Sequence, residues 1–114
     1  MDNIGVYVSA LQESLQKKLD VLLELLKLTK EQGAILKEKE PDMDRFDEII
    51  QEKAKLLDNM ETLDRGFDAL FAKAGDTLKN NKYEYQTQIT EMQNLIRSIT
   101  DTGVQIEGQE HRNK

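Results

Sequence analysis

The sequence predicts an all-α protein, an antiparallel helical hairpin followed by a third C-terminal helix, and three observations carry that expectation. Apolar residues recur at spacings of three and four along nearly the whole chain, which is the signature of helices with one buried face. The only proline, Pro41, interrupts that pattern once, and the connection around it is short enough to fold two helices back on each other. No segment reads as a strand. At 114 residues the chain suffices for one helical domain spanning 1–114, with a modest core.

The first helix is expected over about 3–39. From Ile4 its apolar line continues through Val8, Leu11, Leu15, Leu19, Leu22, Leu26 and Leu36, with Thr29 and Gly33 in the same line. Leu23, Leu25, Leu28 and Ile35 widen the stripe beyond a two-stranded seam, so this helix faces more than one neighbour. Either a three-helix bundle or an extended coiled-coil-like arrangement satisfies that requirement. Glu40-Pro41-Asp42 then stops the helix, because proline lacks the N–H and clashes with the preceding turn.

The second helix is expected over about 42–75. Asp42 can cap it, and Asp44, Asp47 and Glu48 place negative charge where the backbone dipole favours it. Its apolar line includes Phe46, Ile49, Ile50, Leu56, Leu57, Met60, Leu63, Phe67, Leu70, Phe71, Ala74 and Leu78, interrupted in phase by Lys53 and Asp64. Gly75 or the pair Asn80 and Asn81 can end it. The phase continues afterwards, so one long kinked helix from about 42 to 106 is the alternative to a break near 76–82.

The third helix is expected over about 83–107 and carries Tyr85, Ile89, Met92, Leu95, Ile96, Ile99 and Ile106. Its polar positions are mostly Gln, Thr, Asn and Ser, with few charge pairs at four-residue spacing, so it is the least stable of the three alone. It needs a partner, either the hairpin or another protein. The tail 108–114 holds no apolar residue and is expected to fray.

Composition excludes several function classes. With 22 acidic against 16 basic residues the net charge is −6, and a pI near 4.8 repels nucleic acid and anionic lipid. No apolar run reaches the ~20 residues of a membrane span, and the opening Met1-Asp2-Asn3-Ile4 lacks the features of a signal peptide. A cytoplasmic location is therefore expected, with no nucleic acid and no membrane insertion. The absence of cysteine removes disulfides and thiolate chemistry.

Nothing in the sequence reads as catalytic, so no enzyme activity, cofactor or metal is expected. One histidine, His111, sits in the tail and cannot by itself assemble a metal site. Asp44 with Glu48 and Asp64 with Asp68 share helix faces, but the Glu-x-x-His pairs of metal-binding bundles are missing; these acids read as a solvated face. Lys53 and Asp64 on the apolar line are the sole support for a ligand-binding bundle. Gly33 and Gly103 fall on the apolar line, where a missing side chain allows close helix approach.

The stretch 42–71, DMDRFDEIIQEKAKLLDNMETLDRGFDALF, resembles the second-helix signature of the FlgN and FliT type of flagellar export chaperone. The matching features are the apolar pair Ile49-Ile50, then Lys53, the pair Leu56-Leu57, the step Leu63-Asp64 and the aromatic Phe67. The leucine-rich first helix and the segment from Tyr85 to Ile106 also fit in placement and length. The resemblance implies a type III export chaperone. It would hold the terminal amphipathic helix of a hook-filament junction or filament-cap subunit soluble and monomeric until delivery to the export apparatus. It also implies cargo contact through the C-terminal helix, at Tyr85, Ile89, Met92, Leu95, Ile96, Ile99 and Ile106. A helical adaptor acting as a homodimer is the alternative that the same stripes allow.

Overall fold

A computed structural model describes residues 4–114; the expected helix start at residue 3 lies outside them. It is all-α, with α1 (Ile4–Leu36), α2 (Met43–Asn80) and α3 (Gln86–Arg112) and no strand among the described residues. Side-chain pairs fix the register. Lys18 Nζ reaches Asp64 Oδ1 at 2.7 Å, Lys53 Nζ donates to Gln32 Oε1 at 2.8 Å, and Arg45 Nε donates to Glu31 Oε2 at 2.6 Å. The low-numbered partner on α1 pairs high on α2 and the high-numbered ones pair low, so the two helices are antiparallel. On α3 the partners climb together, from Gln12 Nε2 on Glu91 at 2.6 Å to Asn113 Nδ2 on the Thr29 carbonyl at 2.9 Å, so α3 is parallel to α1.

The three helices are not equivalent. α1 buries thirteen positions against four on α2 and two on α3, because its broad apolar stripe is the surface on which both others pack. α1 contacts α2 and α3, but no Cα of α2 lies within 8 Å of a Cα of α3. Packed helices sit roughly 8–10 Å apart. Two helices that share a neighbour without close backbone approach stand near the diagonal of a square bundle, about 14 Å apart, and only side chains such as Lys53 and Glu110 bridge them. Three corners of a four-helix bundle are filled and the one opposite α1 is vacant. The overall dimensions of 62 × 20 × 15 Å agree, and the radius of gyration is 17.8 Å against about 13 Å for a compact chain of this length.

Helix ends depart from the sequence pattern at three places. α1 stops at Leu36 rather than near 39, because Lys37 and Glu38 donate to the carbonyls three residues back and tighten the last turn. α2 runs through Gly75 to Asn80. A Cβ at Gly75 would come within 2.9 Å of the Phe71 ring, so this glycine makes room for an aromatic side chain instead of ending the helix. Residues 81–85 form the turn that separates α2 from α3. The tail expected to fray from 108 is helical to Arg112, since Gln109, Glu110 and Asn113 bond among themselves or to α1 and α2. Asp42 caps α2 as its position suggests, accepting from the Arg45 N–H at 3.1 Å.

The turn end of the hairpin is tied by Arg45, whose guanidinium donates to Glu31 of α1 and to Glu48 and Glu52 of α2. Its hydrogen bond holds the Glu31 carboxyl below the usual carboxylate range. A depressed folded pKa contributes stability that is present above the unfolded value and is lost as pH falls through the folded one. Acid titration of stability below about pH 4.5 will therefore show a loss in the wild type that is reduced in Arg45→Met. In the core, Ile49 is fully buried with Leu28 and Ile35, and Ile49→Ala will cost about 2–4 kcal/mol in urea denaturation.

Candidate functional site

The vacant corner is lined by the second members of apolar doublets. On α2, Ile49-Ile50, Leu56-Leu57 and Leu70-Phe71 each place two neighbours about 100° apart around the helix. The first of each turns toward α1. Ile49 is fully buried, and Leu56 and Leu70 are half-buried against α1 clusters. The second is turned away, and Ile50, Leu57 and Phe71 remain 50, 52 and 43% exposed. α3 repeats the arrangement with Leu95-Ile96, where Leu95 packs on the α1 core and Ile96 is 48% exposed.

These residues border a groove between α2 and α3. Three clefts follow one another along the α2–α3 seam: Ile50, Ala54 and Leu57 opposite Glu110 and Asn113; Leu63 and Phe67 opposite Ile96; and Phe71 and Leu78 opposite Ile89. Positions rise along α2 as they fall along α3, as antiparallel walls require. The Phe67 and Phe71 rings stack with centroids 6.0 Å apart and planes at 14°, giving the middle of the groove a flat aromatic wall.

The polar residues that break the apolar line of α2 have local partners. Asp64 pairs with Lys18, and Lys53, with its side chain only 14% exposed, is shared between Gln32 of α1 and Glu110 of α3. They knit the helices together and put charge into the clefts, Lys53 at the first and the Lys18–Asp64 pair at the middle one. No group of three His, Asp or Glu side chains among the described residues is placed to hold a metal. Gly33 lies under the Gln109 and Asn113 side chains, whereas a Cβ at Gly103 would meet nothing within 4 Å; the close approach expected at Gly103 is absent.

The seven residues expected to contact cargo divide by exposure. Met92 is buried with Ile4, Val8, Leu11 and Leu15 of α1 and Ala74 and Leu78 of α2; Tyr85, Ile89 and Leu95 pack on that cluster, Ile106 packs on Val21, Leu22 and Leu25, and Ile99 packs on both. Ile96 is the exposed one of the seven. The α2 contribution to the groove, Ile50, Leu57 and Phe71, escaped the sequence reading of the site. Its signal was present in the apolar doublets, which are wider than one neighbouring helix needs.

A family model for FlgN protein matches residues 1–114, the whole chain. The chain belongs to the FlgN family. FlgN proteins are flagellar export chaperones, a family that binds flagellar proteins. No curated protein and no solved structure matches it. None of the described helices of this FlgN-family chain is long and apolar enough to cross a membrane. An open apolar groove walled by two helices suits a chaperone, which must offer surface to another chain without burying it permanently in its own core.

The two stacked aromatics separate core from groove. Phe67 packs on the α1 cluster and Phe71 does not, so Phe67→Ala will lower stability by about 2–3 kcal/mol and Phe71→Ala by about 1 kcal/mol or less. Paired urea titrations of the two variants give both values.

Proposed function

We propose that the vacant corner between α2 and α3 receives the terminal amphipathic helix of a flagellar axial subunit, of the hook-filament junction or filament-cap type. The subunit stays soluble and monomeric in the cytoplasm until the export apparatus takes it. The observation that carries this reading is the facing set of exposed apolar side chains, Ile50, Leu57 and Phe71 on α2 and Ile96 on α3. Such a set is costly to leave in water and borders the space between α2 and α3.

An axial subunit that assembles through helices carries an apolar stripe as a monomer, and laying that stripe in the groove hides both surfaces at once. The groove runs along α2 from Ile50 to Phe71, about 30 Å at 1.5 Å per residue, which accommodates a helix of about 20 residues. Each large side chain fully buried contributes about 1.5–3 kcal/mol before ordering and association costs. Four anchors already half-buried give less than that each, which favours reversible capture over a permanent complex.

Of the seven α3 residues, Ile96 and Ile89 make the direct cargo contact. Tyr85, Met92, Leu95, Ile99 and Ile106 hold α3 on α1 and so set the wall against which the cargo lies. The acidic surface keeps the loaded chaperone soluble and favours basic partners.

Co-expression with candidate axial subunits tests the reading. A hook-filament junction or filament-cap subunit will co-purify as a soluble complex. Ile96→Asp and Leu57→Asp will each weaken capture at least tenfold, about 1.4 kcal/mol, while helical circular dichroism stays near wild type. Undiminished capture by both variants, or a stable homodimer that buries Ile96 between identical chains, contradicts it.

A further inference from the structure

The C-terminal half of α3 is attached differently from the half before it. Ile89, Met92, Leu95 and Ile99 seat the first half on α1, whereas beyond residue 102 the one large apolar residue packed on the hairpin is Ile106; Val104 is 63% exposed. Residues 103–112 also include Gly103, Gly108 and the β-branched Val104 and Ile106, all weak helix formers. Apolar packing by itself does not hold this segment on the hairpin.

Polar contacts do. Lys53 Nζ donates to Gln32 Oε1 at 2.8 Å and pairs with Glu110. Asn113 Nδ2 donates to the Thr29 carbonyl at 2.9 Å, and Gln109 Nε2 donates to Asn113 Oδ1 at 2.8 Å. These last two side chains occupy the space above Gly33, where a Cβ would come within 2.6 Å of Asn113 Oδ1 and 2.7 Å of Gln109 Nε2. The missing side chain of Gly33 is thus the socket into which the end of α3 fits. Glu110, Asn113 and Lys114 in turn form one wall of the cleft whose other wall is Phe46, Ile50, Ala54 and Leu57.

We propose that residues 103–112 are a latched arm. It opens as a unit about Gly103, with Lys53, Gln32, Thr29 and Gly33 as the catch, and its opening removes the α3 wall and widens the Phe46 to Leu57 end of the α2–α3 groove. Hydrogen bonds exchanged for water cost little net free energy, so a segment held mainly by them opens locally far below the cost of global unfolding. Gly103, with nothing within 4 Å of its Cβ position, bends without breaking a packed contact. Ile49, Leu28 and Ile35 keep the hairpin closed beneath the arm. What occupies the widened groove rests on the cargo-helix reading above, but the opening itself does not.

Amide hydrogen exchange on the full chain, without cargo, tests the arm. In the wild type, amides of 105–112 will exchange at least tenfold faster than those of 90–100. Gly33→Ala and Glu110→Gln will each accelerate 105–112 by a further tenfold and leave 90–100 and the α1 amides of 11–28 unchanged. In Gly33→Ala the displaced atoms are ends of flexible side chains, and alanine is the better helix former, so α1 persists while the socket is lost. The proposal is overturned if 105–112 exchange together with 90–100 in the wild type, if both variants leave 105–112 unchanged, or if every helix accelerates equally. A mobile arm in a chain that captures no axial subunit removes the cargo reading alone; capture by a chain with a rigid arm removes the latch alone.

Discussion

The structure depends on the breadth of the apolar stripe of α1. A stripe covered by one helix would give a hairpin, and one covered by two helices in mutual contact would give a closed three-helix bundle. Here Leu11, Leu15, Leu22 and Leu25 reach toward α2 and α3 from the same helix, and the two partners diverge to cover them. Each partner then has an apolar flank that α1 does not reach. The openness of the molecule is thus a consequence of how the core is shared, and the groove follows from the fold without any added element.

Charged pairs set the register that this sharing requires. Lys18 with Asp64 and Arg45 with Glu31 sit at the α1–α2 seam. Lys53 lies where all three helices come closest through side chains, reaching Gln32 and Glu110. Exposed ion pairs add little stability, but a one-residue slip would separate every one of these partners and rotate the apolar stripes out of alignment. Their contribution is to the choice of register and of which α2 and α3 residues face the corner.

The sequence made the three helices legible because their signals are local: spacing of three and four, Pro41 as a stop, Asp42 as a cap. Gly75 and the tail misled for a shared reason. Glycine reads as a helix end unless one knows that Phe71 lies over it, and residues 108–114 read as frayed because their partners, Thr29, Gln32 and Lys53, are distant in sequence. The family was visible in the doublets and steps of 42–71, and the match over 1–114 agrees with it. The seven α3 residues illustrate the harder problem. Met92 and Ile96 belong to one stripe by spacing, yet one is buried and the other 48% exposed. Their difference is an angle of about 40° around α3, which turns Met92 into the core and Ile96 toward the corner. The doublets Ile49-Ile50 and Leu56-Leu57 held the missing information, since a stripe two residues wide on α2 already implies a neighbour beyond α1.

The vacant corner makes one demand that methyl-resolved NMR can check directly, because exposed methyl groups lie on both sides of the molecule. Ile50, Leu57 and Ile96 line the groove, while Val6 and Leu23 are exposed on α1, diagonal to it. On titration with a purified axial subunit, the methyl signals of Ile50, Leu57 and Ile96 will shift and show contacts to the added chain, with Val6 and Leu23 unperturbed. Shifts confined to Val6 and Leu23, with the groove methyls unchanged, would place the cargo on the outer face of α1 and contradict the account.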